Sequence, residues 1–116
     1  MSKVNYKLWY VKDLRLSFTK YWKECFNKTI EKVDIDDYHE VYRNTVLNSN
    51  PDDMEFLEEL FEEFNMDHPE DFEERSLSTC DVVEIIRDDN DPIFYICCSF
   101  GWKQIEFEES FKKVKV

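Results

Sequence analysis

Glycine is almost absent from this sequence, which contains only Gly101 among its 116 residues. Loops that cradle phosphates need several glycines, because the backbone must approach the phosphate closely, so a nucleotide-binding loop is excluded. Apolar runs are also short, and none approaches the roughly 20 residues that cross a bilayer. The first residues lack the charged and apolar segments of a secretory signal. We therefore expect a cytoplasmic protein without a membrane span.

Cysteine occurs in no pattern typical of a metal site or a disulfide framework. None of the four cysteines belongs to a Cys-x-x-Cys motif, and two are adjacent: Cys25, Cys80, Cys97 and Cys98. We expect buried, reduced thiols. The only histidines, His39 and His68, have no partner at a recurring zinc-ligand spacing. The sequence predicts neither a metal ion nor any other cofactor.

Basic residues are scarce and unevenly placed. Lysine and arginine number 15 against 27 acidic residues, for a net charge of −12. Residues 1–50 carry nine basic and seven acidic side chains, residues 51–109 carry three and twenty, and residues 110–116 carry three and none. Such a field repels nucleic acids and anionic membranes, so we expect no direct binding to either. A basic protein or a cation is the favoured partner.

Aromatic residues are plentiful, at 16% of the chain, and they mark the first elements. Alternation over Val4–Val11 predicts a strand. The spacing of apolar residues then changes to the period of a helix. We expect this helix to begin at Ser17, which can cap it, and to end near Asn27. Its predicted buried face consists of Phe18, Tyr21, Trp22, Cys25 and Phe26. A second strand is predicted over Tyr38–Val46.

The clearest element is a helix predicted from Pro51 to about Phe64. Asn50 suits the N-cap, Pro51 suits the first helical position, and Asp52 and Asp53 suit the positive end of the helix dipole. At 100° per residue, one arc holds only apolar residues: Met54, Phe56, Leu57, Leu60, Phe61 and Phe64. The opposite arc is acidic, so the helix is strongly amphipathic.

The remaining elements complete an α+β domain. We expect a left-handed stop at Asn65, a short helical turn over residues 68–72, a strand over Asp81–Ile86, and a hairpin into a strand over residues 93–100. After a turn at Gly101, a last strand covers residues 102–107. The order β-α-β-α-β-β-β predicts two helices on a small, largely antiparallel sheet. Residues 1–107 form this single domain, and residues 108–116 form a charged C-terminal tail.

The tryptophans are more often core than contact residues, above all Trp22 on the predicted apolar face of its helix. Trp102 follows Gly101, and the sequence leaves open whether it is core or interface.

Acidic residues form a strip along the predicted helix and beyond it. Seven carboxylates lie within twelve residues, about one per 2.5 Å of helix axis, against about one negative charge per 1.7 Å in duplex DNA. Like charges four residues apart, such as Glu55 and Glu59, each destabilise a helix by about 0.2–0.5 kcal/mol. A plain solvated face is the alternative, but such a face usually mixes signs. We define the acidic strip as the predicted partner-binding surface: Asp52, Asp53, Glu55, Glu58, Glu59, Glu62, Glu63, Asp67, Glu70, Asp71, Glu73 and Glu74.

A motif follows the acidic helix. It runs Phe-Asn-x-x-His-Pro-x-Asp-Phe, then Ser-Leu-Ser-x-x-Asp-Val-Val, and after an aromatic strand Ser-Phe-Gly; its members are Asn65, His68, Pro69, Asp71, Phe72, Arg75, Ser76, Leu77, Ser78, Asp81, Ser99, Phe100 and Gly101. This pattern resembles the YodL-like family, whose small domains are encoded on mobile elements and plasmids of Firmicutes. Glu74 and Cys98 depart from it, since a glycine and an acidic residue are usual there. The resemblance implies a role in conflict with, or accommodation to, host defence and DNA handling. The motif itself is expected to be structural, and the sequence leaves recognition of a ligand by Asn65–Asp81 as the alternative.

Catalytic interpretations of the motif are weak. Ser76, Ser78, Asp81 and His68 offer the groups of a hydrolytic triad, but no strained glycine-rich elbow supports a nucleophile. Ser78, three residues before Asp81, is typical of turn capping. Arg75 is expected to pair with Asp71 or a neighbour, and the Asp88–Asp91 segment is a turn rather than a calcium loop. We expect no enzymatic activity.

Charge and resemblance together give the leading hypothesis. The chain is a non-enzymatic anti-defence protein, of the anti-CRISPR or anti-restriction type. Its acidic strip occupies a basic nucleic-acid-binding groove of a host nuclease or effector by mimicking phosphate charge. The alternative is an adaptor that docks a partner through the edge of its sheet. The target and the oligomeric state are not fixed by the sequence.

Overall fold

The computed structural model describes residues 2–48, 52–88, 90–99 and 101–108. The strands are β1 (Ser2–Val11), β2 (Lys32–Asp34), β3 (Tyr38–Asn48), β4 (Val82–Arg87), β5 (Ile93–Cys97) and β6 (Trp102–Glu108). The helices are α1 (Leu14–Leu16), a π-helical turn (Ser17–Tyr21), α2 (Trp22–Asn27), a 3₁₀ turn (Ile35–Asp37) and α3 (Asp53–Met66). An α+β fold is thereby confirmed.

The six strands form one sheet in the order β2-β6-β5-β4-β1-β3. All neighbours are antiparallel except β2 and β6, which run parallel. The pairing of β4 with β5 is the predicted hairpin. Strand β2 was not predicted, and its position between α2 and β3 changes the expected element order. The register of β1 against β3 shifts after Leu8, where β3 carries an extra residue.

Helices cover the two faces of the sheet. Successive side chains of a strand point to opposite faces, so Val82 and Val83 belong to different cores. Val83 packs in a core with α3, built around Tyr6, Leu57 and Phe64. Val82 packs in a second core on the other face with Tyr21 and Cys25. Trp102 is 6% exposed in the α3 core, which answers the question the sequence left open.

The first helical segment departs from its prediction at its start and in its buried face. It begins at Leu14, where the Asp13 carboxylate accepts a hydrogen bond from the Arg15 amide at 2.9 Å, and not at Ser17. Tyr21 and Cys25 are buried as expected. Trp22 and Phe26 are 39% and 49% exposed and stack on each other, so the prediction that they are core residues was wrong.

Helix α3 starts two residues later than predicted. The Asp52 side chain caps it by accepting from the Met54 amide at 2.9 Å, while Asn50 and Pro51 lie outside the described residues. Four predicted apolar residues are buried, namely Phe56, Leu57, Leu60 and Phe64. Met54 is 43% exposed, which corrects its placement in the core.

The end of α3 also differs from expectation. Asn65 is helical rather than a left-handed stop, and its side-chain amide donates to the Phe61 carbonyl at 2.7 Å. The helix ends at Met66, and the cap residue Asp67 has a φ of −149°. Residues 68–72 form a turn closed by the Phe72 amide and the Pro69 carbonyl at 3.0 Å, not a second helical turn.

The later strands lie close to their predictions. Strand β5 ends at Cys97, three residues earlier than expected, and Phe100 lies outside the described residues. Gly101 follows with a φ of +86°, a conformation that suits glycine. Glu108, the first residue of the predicted tail, is the last residue of β6. The rest of that tail, residues 109–116, lies outside the described part of the chain. Among the described residues, no helix is long and apolar enough to cross a membrane.

Candidate functional site: the acidic strip and the adjoining cleft

The outer face of α3 presents a row of exposed glutamates: Glu55, Glu58, Glu59 and Glu62. They point away from the sheet because the opposite arc of the helix is buried against it. Within the described residues, Glu58, Glu59 and Glu62 form no ion pair with a lysine or arginine. These three carboxylates therefore face solvent without a cationic partner in the described part of the chain.

Other members of the acidic strip have structural partners. Asp53 faces the sheet, where it accepts hydrogen bonds at 2.7 Å from both Arg87 and Tyr95. Asp71 accepts from the Tyr42 hydroxyl at 2.9 Å. Glu63 is half-buried, and burial raises the pKa of its carboxyl, with a further contribution from Asp67. The surface that the acidic strip presents to solvent is therefore narrower than the sequence predicts.

The rest of the acidic strip continues past α3. Asp67, Glu70, Glu73 and Glu74 are all exposed. Asp67 caps the helix, Glu70 lies in the turn at residues 68–72, and Glu73 and Glu74 follow that turn, so the negative surface extends from the helix onto the connection to β4.

The segment that covers the opposite face of the sheet is rich in exposed basic residues. The segment from Lys12 to Lys28 presents five exposed basic residues: Lys12, Arg15, Lys20, Lys23 and Lys28. This segment packs on the second core, whereas α3 packs on the first. Among the described residues, exposed acids thus dominate the α3 side, and exposed bases outnumber acids in the segment on the other side.

Arg75 braces the connection from α3 to β4, but through a different partner than predicted. Its guanidinium donates two hydrogen bonds to the Asp81 carboxylate, at 2.7 and 2.8 Å, instead of pairing with Asp71. The Ser78 amide donates to the same carboxylate at 2.9 Å, which confirms the predicted turn chemistry. Asp81 is completely buried, and burial raises the pKa of its carboxyl against the lowering effect of Arg75.

Tyr10 fixes this brace to the sheet. Its hydroxyl donates to the Arg75 carbonyl at 3.0 Å, and the guanidinium lies 4.2 Å from the centre of its ring. A cation over an aromatic face contributes about 0.5–2 kcal/mol, more when the site is desolvated. The motif residues Arg75, Ser78 and Asp81 therefore hold the connection in one conformation.

A cleft of about 500 Å³ lies beside the acidic strip. One side of α3 contributes Glu58, Phe61 and Asn65, which share a helix face through their spacing. The braced connection and the β5–β6 turn supply the other lining residues: Leu77, Ser78, Thr79, Cys97, Cys98, Ser99, Gly101 and Trp102. Five residues of the motif meet in this cleft: Asn65, Leu77, Ser78, Ser99 and Gly101.

Two other depressions have similar volumes, about 490 and 440 Å³. One lies along β2 and β6 and the other along β1 and β3. Neither of these two depressions is lined by a residue of the motif. The cleft beside α3 is lined by five of them, so we take this cleft as the candidate site.

Phe100 lies outside the described residues, and the other motif residues do not line the cleft. His68 is exposed, and its ring contacts Phe72 in an edge-to-face arrangement with centres 5.4 Å apart. In the described ranges, no hydrogen bond joins His68 to Ser76, Ser78 or Asp81. Across the same ranges, no group of three or more histidine, cysteine or acidic residues is arranged to hold a metal ion.

The family of this chain follows from its match to a known domain. The profile of the YodL-like domain matches residues 4–107. This chain belongs to the YodL-like family. Searches of curated proteins and of solved structures return no significant match. The YodL-like match spans β1 to β6, so the brace and the cleft both lie inside the family domain.

Sequence reasoning missed half of the cleft. Phe61 was assigned only to the core, and Trp102 was left open between core and interface. Thr79, Cys97 and Cys98 carried no functional prediction. A signal was present for Phe61, because it lies between Glu58 and Asn65 on one helix face. The sequence held no such signal for the cysteines, because their proximity to α3 depends on the conformation of the connection between α3 and β4.

Proposed function

We propose that this YodL-like domain is a non-enzymatic anti-defence protein that blocks a basic nucleic-acid-binding groove of a host nuclease. The single observation that carries the proposal is the row of exposed glutamates on α3, three of which have no ion-pair partner among the described residues. A basic groove offers Glu58, Glu59 and Glu62 the counter-charges that they lack among the described residues. Association between such surfaces is fast and strongly dependent on salt.

The geometry of α3 supports mimicry of a phosphate backbone. A helix of 14 residues is about 21 Å long, similar to the axial length of six base pairs. It is held rigidly by four buried apolar residues and by the hydrogen bonds of Asp53 to β4 and β5. Because the helix backbone is held in advance, binding has to order only the glutamate side chains and not the helix itself.

The test compares two variants with the same change of charge. The strip variant replaces Glu55, Glu58, Glu59 and Glu62 with lysine. The control variant replaces four exposed acids elsewhere with lysine: Glu24, Glu31, Asp91 and Glu106. Each is expressed in bacteria that carry a defined restriction or CRISPR nuclease, and the survival of an incoming target plasmid is counted.

The native chain and the control variant are expected to protect the plasmid, and the strip variant is expected to lose at least ten-fold in protection. Circular dichroism establishes that all three are folded. Equal protection by the strip variant would overturn the proposal. So would binding to the nuclease that persists unchanged at 1 M salt, where the Debye length falls to about 3 Å.

The second candidate is an adaptor that uses the edge of the sheet. Strand β3 is the last strand in the sheet order and is 11 residues long, and its Leu47 is 68% exposed. Edge strands can pair with a partner strand through main-chain hydrogen bonds, which depend little on salt. Partner binding that survives high salt and is lost in Leu47→Lys supports the adaptor instead.

A further inference from the structure

This domain packs arginine side chains between a carboxylate and an aromatic ring. In the brace described above, the Arg75 guanidinium is bound to a carboxylate at 2.7 and 2.8 Å and lies 4.2 Å from the centre of a tyrosine ring. Arg87 donates to the Asp53 carboxylate at 2.7 Å, and its guanidinium lies 5.8 Å from the centre of the Phe56 ring. Each guanidinium is thus matched by a negative charge and by an aromatic ring.

The cleft beside α3 also places a carboxylate next to an aromatic ring. Glu58 and Phe61, three residues apart on one helix face, both line it. The Phe61 ring packs edge to face on Trp102, with ring centres 6.4 Å apart. Phe61 is half-buried and Glu58 is exposed, and Glu58 forms no ion pair among the described residues. The two groups that hold an arginine elsewhere in the domain therefore border this open space.

The charge of its lining separates this cleft from the other two depressions. Lys32 and Lys103 line the depression along β2 and β6, and Lys7 and Arg43 line the one along β1 and β3. Glu58 is the only charged residue among the described lining residues of the cleft beside α3. The lining of this cleft therefore carries a net negative charge.

Two basic side chains reach residues of the cleft without lining it. Arg75 donates to Ser78 at 3.0 Å, and its charge is balanced by the buried Asp81 carboxylate. Lys28 caps the end of α2 on the opposite face of the sheet, and its Nζ is 3.4 Å from the position that a Cβ on Gly101 would occupy. Neither side chain lines the cleft.

The thiol of Cys97, in the wall of the cleft, lies in a negative potential. Burial is the main reason that its pKa is raised to about 12, and the negative charges of Asp81 and Glu58 contribute. A field that opposes a thiolate favours a cation at the same place. The charge of Glu58 therefore acts on the interior of the cleft as well as on its rim.

We propose that the cleft beside α3 binds an arginine side chain of the partner, with the guanidinium between the Glu58 carboxylate and the Phe61 ring. A planar guanidinium suits both contacts, because it donates two hydrogen bonds to a carboxylate in its plane and stacks on an aromatic ring. The partner is the basic protein of the proposed function, on which this assignment rests. The motif residues that line the cleft thereby acquire a role in recognition.

The test follows the binding of two capped peptides to the full chain by nuclear magnetic resonance. One peptide has an arginine between two lysines, and the other has citrulline in place of the arginine, which keeps the shape and removes the charge. The Trp102 indole and the Asn65 side-chain amide report on the cleft. The backbone amides of Glu59 and Glu62 report on the acidic strip, and the Trp22 indole on α2 is the reference.

The arginine peptide is expected to shift both the cleft signals and the strip signals. It should bind about five-fold more tightly than the citrulline peptide, which should shift only the strip signals. Glu58→Gln should abolish this difference. Glu59→Gln is the matched control, because it removes an equal charge from a side chain that does not line the cleft, and it should keep the difference. Circular dichroism checks that both variants are folded.

The comparison of the two peptides on the native chain decides the question even if a variant does not fold. Cleft signals that ignore the arginine peptide, or that respond equally to citrulline, would overturn the arginine site. So would an equal loss in Glu58→Gln and Glu59→Gln. Strip signals that shift alone reject this site and leave the proposed function standing. A cleft response to arginine in a chain that does not protect the plasmid supports the site and rejects only the anti-defence role.

Discussion

Two arginines of this domain make the same contact in different surroundings. Arg75 and Arg43 each grip a carboxylate with two hydrogen bonds, at 2.7–2.8 Å to Asp81 and at 2.6–2.7 Å to Glu40. The Asp81 side chain is fully buried, whereas the Arg43 side chain is 66% exposed. Water can replace an exposed partner but cannot reach a buried one, so the two pairs differ in energy although they match in geometry.

Arg75→Ala is therefore expected to lower the free energy of unfolding by about 2–3 kcal/mol. Loss of a fully buried partner costs about 3–5 kcal/mol, and the smaller value applies because the Arg75 side chain is 31% exposed. Urea denaturation measures the change. The control Arg43→Ala should leave the midpoint nearly unchanged. In Arg75→Ala combined with Asp81→Asn, the loss should be smaller than the sum of the single losses; additive losses would contradict the pairing.

At the scale of elements, α3 carries a charge pattern that opposes its own stability. Three like-charged pairs stand four residues apart: Glu55 and Glu59, Glu58 and Glu62, and Glu59 and Glu63. Burial of the opposite face and the Asp52 cap compensate for this repulsion. A helix that needed only to be soluble would gain stability from mixed signs, so the pattern is consistent with selection for binding.

Replacing Glu59 and Glu62 with lysine converts all three pairs into attractive ones. The free energy of unfolding should rise by about 1–2 kcal/mol, while protection of a target plasmid should fall. Thermal denaturation at low salt measures the first effect. The double variant with glutamine serves as a control and should show about half of the gain. A destabilised lysine variant would mean that the folded chain already neutralises these glutamates.

Periodicity explains which elements could be predicted. The apolar and acidic faces of α3 follow the regular helical period of about 3.6 residues per turn. Four of its six expected core residues are buried. In the first helical segment, the π-helical turn at Ser17–Tyr21 changes the phase. Tyr21 and Cys25 keep the inward row, and Trp22 and Phe26 occupy the next row, toward solvent.

Long-range contacts could not be predicted. Strand β2 is three residues long with only Val33 buried, so it leaves no detectable alternation, and it exists because β6 is there to pair with it. The brace shows the same limit, because nearness in sequence favoured Asp71 over Asp81. In the candidate site, the acidic face of α3 could be predicted from the helical period. The cleft could not, because it forms only when the connection from α3 to β4 is folded.

At the scale of the whole molecule, all six tyrosines are held as neutral phenols. Burial is the main cause in each case; it raises the pKa of Tyr21 and Tyr42 to about 12 and that of the other four still further. They lie in both cores and on several elements. Their ionisation is therefore coupled to unfolding of the whole domain.

This coupling predicts an alkaline transition. A folded pKa above the unfolded value near 10 means that the stabilising effect is complete below about pH 10 and is lost as pH rises through 12. Tyrosinate absorbance should stay low until the domain unfolds, and then rise together with the loss of circular dichroism. Gradual ionisation near pH 10 with unchanged circular dichroism would contradict the burial of these phenols.

The position of β1 in the sheet has a consequence for how the protein is made. Of the six strands, β1 is synthesised first, yet it lies between β3 and β4 in the sheet, and β4 ends at Arg87. At a synthesis rate of about 5–20 residues per second, β4 follows β1 by roughly 4–15 s. During that interval β1, with five residues that are buried in the finished sheet, has one side open to other chains or to a chaperone.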